Sequence, residues 1–222
     1  QNALKNPYAH LRLEDISIES VKASPMMWDP LHFLESCPSS DGACAMVFTD
    51  QAGGEAAAAD GRPPAWVLGS AMRSEPFGFP GRDPVLPQGA ADCAEDIYAQ
   101  VGITRPREQI DCAELYVPFS WYEPMWLEAH HLAEPGEGWQ LVESGATALD
   151  GSFPVNMSGG VLSSNPIGAS GMLRFAEAAL QVRGMAGEHQ VDGAKVAVAQ
   201  AYGASAQYFS MWVVGASLDP FG

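Results

Sequence analysis

Residues 158–184 read SGGVLSSNPIGASGMLRFAEAALQVRG. The first part, 158–171, is built from glycine, serine, asparagine and proline around a few apolar residues, a composition of turns rather than of strand or helix. From Met172 the residues become strong helix formers, and Gly184 stands where a left-handed glycine ends a helix. A small-residue loop that feeds a helix places backbone N–H groups and the positive end of the helix dipole at the loop. A plain glycine-rich turn has the same composition, so the meaning of the stretch depends on its surroundings.

Downstream, Lys195–Tyr202 and Ala206–Gly215 are apolar runs that read as strands, and Gly203-Ala204-Ser205 between them suits a tight hairpin. Upstream, three further strands are expected: Cys44–Phe48 as a buried run, Ala65–Ala71, and Ala113–Val117, closed by Pro118. Ala94, Ile97, Tyr98 and Val101 recur at helical spacing and predict a helix over 90–101. Pro124 opens a second, MWLEAHHLA. Residues 51–64, 74–89 and 134–151 read as loops. Strands alternating with helices predict a layered α/β domain with a mixed five-stranded sheet covered by helices.

The 222 residues suffice for one domain with a core, and 47% hydrophobic against 17% charged is a globular composition. A net charge of −16 with only Lys5, Lys22 and Lys195 as lysines repels phosphate backbones and anionic bilayers, so neither nucleic acid nor membrane is an expected partner. No apolar run reaches the length of a membrane span. Cys37, Cys44, Cys93 and Cys112 form no CxxC pair; they read as free thiols of a reducing, cytoplasmic compartment, with no metal site. His130-His131 reads as a solvated pair and His189 as a surface residue.

Several motifs together resemble the thiolase superfamily, in its sterol-carrier and acetyl-CoA acetyltransferase branches. Ser158-Gly159-Gly160, Asn165-Pro166 and Gly168-Ala169-Ser170-Gly171 match the signature in which a small-residue run, Gly-His-Pro and Gly-Ala-(Ser/Thr)-Gly open a long helix. QVRGMAGEHQV is similar to the RGxAGxxQV stretch, and CPSSDGACAMVF to the (N/S)DGAAA strand. ELYVPFSWYEP is similar to the Asn-Glu-Ala-Phe or His-Asp-x-Phe strand, and PGEGWQLVESGATALDGSFPVN to the loop before the signature. The matches run in order over about residues 30–215 and identify the C-terminal half of such a protein. The resemblance implies a two-half ααβαβαα fold, with residues 1–24 as the tail of an inserted loop region and 25–222 as the C-terminal domain.

It also implies chemistry. Coenzyme A enters as substrate, with no cofactor, and the nucleophilic cysteine is expected outside this chain, since Cys37, Cys44, Cys93 and Cys112 all lack its glycine-rich setting. The family histidine is Asn165 here, which can donate to an oxyanion but cannot take a proton at neutral pH. The family asparagine is Tyr116, and the second acid/base position offers Tyr202, so Asn165, Tyr116 and Tyr202 are the candidate catalytic residues. Cys37, Ser39, Ser158, Gly159, Gly160, Ser164, Pro166, Gly168, Phe119 and Gly203 are the candidate contacts to CoA or substrate.

Three activities fit. The first makes or cleaves a carbon–carbon bond next to a CoA thioester as half of a thiolase. The second is a retro-aldol lyase acting through tyrosines, and the third a non-catalytic half that completes an active partner. The aromatic run Phe119, Trp121, Tyr122, Trp126 fits either a bulky substrate or a packed core. Half of a two-fold fold leaves an apolar face uncovered. The expected partners are therefore the N-terminal half, on the same or a separate polypeptide, a second copy or a heteromeric partner, and a small zinc-ribbon/OB-fold subunit.

Overall fold

The computed structural model describes residues 1–78, 80–83 and 85–221. Phe79 and Pro84, in the loop expected over 74–89, and the terminal Gly222 lie outside the described residues. In chain order the helices are α1 (Ile18–Ala23), α2 (Gln51–Ala59), α3 (Gln88–Val101), α4 (Pro106–Gln109), α5 (Tyr122–Ala129), α6 (Gly138–Glu143), α7 (Gly160–Ser163) and α8 (Ser170–Val182). The strands are β1 (Met26–Trp28), β2 (Leu31–His32), β3 (Trp66–Ser74), β4 (Cys112–Glu114), β5 (Val196–Gly203) and β6 (Tyr208–Gly215).

The architecture is the expected layered α/β domain. Its main sheet has four strands among the described residues, in the order β3-β6-β5-β4, and β1 and β2 form a separate small ribbon. β3 and β5 run antiparallel to β6, whereas β4 is parallel to β5, so the sheet is mixed. The fifth expected strand, Cys44–Phe48, does not form. Among the described residues no strand pairs with it, and Val47 and Phe48 are 97% and 66% exposed rather than buried. The far edge of β4 is instead covered by a single bridge from Ala113 to Val155.

Period-two alternation explains the layers. In β5, Val196 and Val198 face the core formed with α3 and α5, while Ala197 and Ala199 face α8. α3 buries Ala90, Cys93, Ala94, Ile97 and Tyr98, one helical stripe, and stops at Gly102 with φ +74°. α8 buries Arg174, Phe175, Ala178, Gln181 and Val182, again one stripe, and the chain turns away at Gly184 with φ +66°.

β4 is shorter than the expected Ala113–Val117 for a traceable reason. Beyond Glu114 the backbone N–H groups leave the ladder for side chains: Leu115 N–H donates to Asn156 Oδ1 (2.8 Å) and Tyr116 N–H to Gln200 Oε1 (2.9 Å). The β5–β6 hairpin forms, with Ala204, Ser205 and Ala206 all at positive φ; Arg82 holds this turn by donating to the Ser205 carbonyl at 2.9 Å. Two loop readings are corrected. Residues 51–59 are helical because Asp50 caps Gly53 N–H at 2.9 Å and an alanine run follows. Residues 138–143 form α6.

The histidine readings are also corrected. His189 is 4% exposed, and its Nε2 lies 3.0 Å from the Glu177 carboxylate, which accepts its proton in a hydrogen bond and pulls its pKa up. His131 is half exposed beside Glu95, but His130 is fully buried, stacked on Trp126 at 5.8 Å, with no hydrogen-bond partner on either ring nitrogen. Burial holds its pKa at about 3. The folded state therefore keeps His130 neutral where the unfolded chain protonates, so stability is present above the ordinary histidine pKa of about 6.5 and is lost as pH falls from there towards 3. Urea unfolding should show His130→Phe gaining on the native sequence by about 1.4 kcal/mol per pH unit below 6.5. Parallel pH dependence of the two proteins would refute this.

Candidate active site

The residues after β4, the start of α8 and the end of β5 meet at one end of the sheet. Tyr116 is fixed at three points: its N–H by Gln200, its carbonyl by the Trp126 indole N–H (2.7 Å), and its hydroxyl, which donates to Asn165 Oδ1 at 3.1 Å. Asn165 is 6% exposed. Its Oδ1 also accepts from the Ser170 hydroxyl at 2.7 Å, and with two hydroxyl donors on the oxygen the amide nitrogen is turned the other way. That nitrogen donates to Cys37 Sγ at 3.1 Å. Tyr202 packs edge-on against Tyr116 (ring centroids 5.1 Å, 80°) and stacks on Tyr122 (5.4 Å, 15°).

Asn165, Tyr116, Tyr202 and Cys37 are thus brought together. Burial raises the pKa of both phenols, and a hydrogen bond from Tyr122 raises Tyr202 further. At neutral pH both are phenols, able to donate a proton or a hydrogen bond and poor at accepting a proton. The chemical capacity of the cluster is donation: two phenol O–H groups and one amide N–H.

The other candidates divide. Phe119 lies beside the cluster, stacked on Trp121 at 4.9 Å and bridged to Ser36, and Cys37 N–H reaches the Pro118 carbonyl at 2.8 Å. Pro166 is buried, and a side chain at Gly42 would meet its ring at 2.9 Å. Gly168 is exposed and Gly203 partly so, and a Cβ at either would meet nothing within 4 Å. Ser39 is exposed, whereas its neighbour Ser40 accepts Asn165 N–H at 3.1 Å. Ser164 accepts His10 N–H at 2.7 Å. A Cβ at Gly159 would fall 2.5 Å from that of Ala3, and one at Gly160 2.9 Å from the Asn156 side chain, so both glycines are required by close internal packing.

Ser158 belongs to a network that the sequence reading missed. Glu114 and Arg174 are buried and ion-paired across β4 and α8. Arg174 donates to Ser158 Oγ at 2.8 Å, Ser158 Oγ and N–H donate to Glu114 at 2.9 and 3.0 Å, and Gly160 N–H donates to Ser158 Oγ at 3.1 Å. Burial raises the Glu114 carboxyl against the pull of Arg174. The signal was available: each is a charge set among apolar positions, Glu114 within CAEL and Arg174 on the buried stripe of α8. Two surface recesses, one around Leu132 and Gln140 and one around Asp150 and Gln190, are lined by none of the cluster residues.

These features have counterparts in known proteins. Residues 79–216 match the family described as thiolase C-terminal domain-like, and the chain belongs to it. It is 33% identical to human sterol carrier protein 2, over 89% of this chain and 36% of that protein. It is also 33% identical to an acetyl-CoA acetyltransferase of Methanothermobacter thermautotrophicus, over 88% of this chain and 50% of that one. The solved Ltp2-ChsH2(DUF35) aldolase superposes with a TM-score of 0.79 at 26% identity, covering 96% of this chain and 55% of that chain. The chain therefore spans about half or less of the curated relatives it matches. No helix among the described residues is long and apolar enough to cross a membrane.

Arg174→Met leaves Glu114 as an uncompensated buried charge and should cost about 3–5 kcal/mol. Glu114→Gln combined with Arg174→Met should recover most of the loss. Thermal denaturation of the two variants checks this, and equal melting temperatures would show that the pair contributes no coupling.

Proposed function

We propose that this chain is the C-terminal half of a thiolase-like enzyme that cleaves a carbon–carbon bond next to a CoA thioester by a retro-aldol step. The observation that carries the reading is the hydrogen-bonded cluster of Asn165 with two phenols held in the neutral form, where a Claisen enzyme of this family carries histidine and a second acid/base. In a retro-aldol cleavage the β-hydroxyl proton leaves, the Cα–Cβ bond breaks, and its electrons pass to the thioester as an enolate. The enolate oxygen needs donors: one N–H of the Asn165 amide is available beside the one given to Cys37, and the Tyr116 hydroxyl serves by turning its proton from Asn165 Oδ1 to the substrate. A phenol O–H, that of Tyr202, then protonates Cα, releasing a ketone or aldehyde and a shortened acyl-CoA. The likeness to an aldolase supports the reaction class.

The later part of the loop, 164–168, and the segment around Cys37 would receive the CoA arm, and coenzyme A is substrate rather than cofactor. The exposed Met26, Met27, Trp28, Val47 and Phe48 support association with the N-terminal half and with a second copy. The aldolase neighbour, which joins Ltp2 to ChsH2(DUF35), supports a small accessory subunit.

A second reading has an observation of its own. Asn165 Nδ2 faces a sulfur, Cys37 Sγ, so the amide could equally hold a thiolate supplied by the missing half of a thiolytic enzyme. Free CoA separates the two readings, because thiolysis of a β-ketoacyl-CoA consumes CoA, whereas retro-aldol cleavage of a β-hydroxyacyl-CoA does not. Mass spectrometry of products from the assembled enzyme should show cleavage of a β-hydroxyacyl-CoA without added CoA. Tyr116→Phe and Asn165→Ala should each lower kcat by about 100- to 1000-fold. Activity restricted to β-ketoacyl-CoA with free CoA would sink the lyase reading, and full activity in all three of Asn165→Ala, Tyr116→Phe and Tyr202→Phe would sink the site.

A further inference from the structure

The cluster donates protons but holds no group suited to receive one, and the retro-aldol step needs a receiver for the β-hydroxyl proton. Resting on that reading, we infer that Ser40 and His10 form a proton relay at the edge of the site, with Ser40 facing the reacting hydroxyl and His10 taking the proton through it. The geometry is a serine–histidine pair: His10 Nδ1 and Ser40 Oγ are 2.8 Å apart. Ser40 in turn is fixed to the central residue of the site by both backbone groups of Asn165. Asn165 N–H donates to Ser40 Oγ at 3.1 Å, and Ser40 N–H donates to the Asn165 carbonyl at 3.3 Å.

With Asn165 N–H donating to its oxygen, Ser40 has its own proton free to pass on. The neutral imidazole has one bare nitrogen to accept it. The transfer balances: the substrate hydroxyl proton moves to Ser40 Oγ as the Ser40 proton moves to His10 Nδ1. The imidazolium returns a proton to solvent after the products leave.

His10 lies near the start of the chain, yet it is not loose. Its own N–H donates to Ser164 Oγ at 2.7 Å, and Leu11 N–H donates to the Ser163 carbonyl at 2.9 Å. Asn6 is buried and donates from Nδ2 to the Ser158 carbonyl at 2.9 Å. Residues 2–11 therefore run along the signature loop and deliver an exposed imidazole to its rim. Exposure is what a proton exchanger with solvent requires.

The test uses the assembled enzyme. His10→Ala should lower kcat for β-hydroxyacyl-CoA cleavage by about 100-fold with KM unchanged, and free imidazole should restore part of the rate. Ser40→Ala should lower kcat similarly with no imidazole rescue. A His10→Ala enzyme of native kcat, or a loss that imidazole leaves untouched, would overturn the relay. The pair itself is checked without turnover by following carbethoxylation of His10 with diethyl pyrocarbonate by mass spectrometry. The reaction should run several-fold faster in Ser40→Ala, and equal rates would overturn the pairing. If Tyr116→Phe and Asn165→Ala lose activity while His10→Ala does not, the lyase reading stands and the relay falls.

Discussion

A buried charge pair sets the geometry from which the site is built. Glu114 ends a strand and Arg174 lies one turn inside a helix, and neither can face water. Their contact therefore fixes the distance and rotation between β4 and α8, and both side chains are also hydrogen-bonded to Ser158. Because Ser158 opens the signature loop, the loop is anchored at its entrance by an ion pair and at its exit by the α8 start. Between those anchors Asn165 has little freedom, and its side chain is oriented by hydroxyls from Tyr116 and Ser170. An ion pair that adds little net stability can still earn its place by making one arrangement much better than its neighbours.

The site also shows how a proton acceptor can be lost while a donor array persists. An imidazole at position 165 could both give and take a proton, whereas an amide transfers none at neutral pH and offers only hydrogen bonds. The surrounding phenols follow the same direction, since burial and mutual contact favour their protonated forms. The centre of the cluster is therefore rich in hydrogen-bond donors and holds its two phenols protonated.

The sequence singled out the members of the cluster because each lies in a motif of its own. Asn165, Tyr116 and Tyr202 lie in three separate segments, and the structure joins them. The hairpin, α3 and α8 were legible from alternation and helical spacing. What could not be read was of two kinds. Cys44–Phe48 has the composition of a strand, but a strand needs a partner, and composition does not say whether one is present. Ser40 and His10 are polar residues in irregular segments, with nothing periodic to mark them; only the three-dimensional return of the chain to Asn165 gives them meaning. His130 misled for the opposite reason. A histidine doublet near a helix end looks solvated, and only packing against Trp126 shows that one member is core.

The unequal faces of β5 carry a last consequence. Valines line the side towards α3 and α5, and alanines the side towards α8, where a Cβ on Gly171 would already stand 2.8 Å from that of Ala201. The start of α8 is thus drawn against the strand that bears Tyr202 as closely as backbones allow. Core volume, rather than any polar contact, is the ruler that sets the gap between the amide and the second phenol. Sequence divergence is free to occur in the loops, while the seam between Gly171 and Ala201 admits no added methyl group without moving Asn165 and Tyr202 apart.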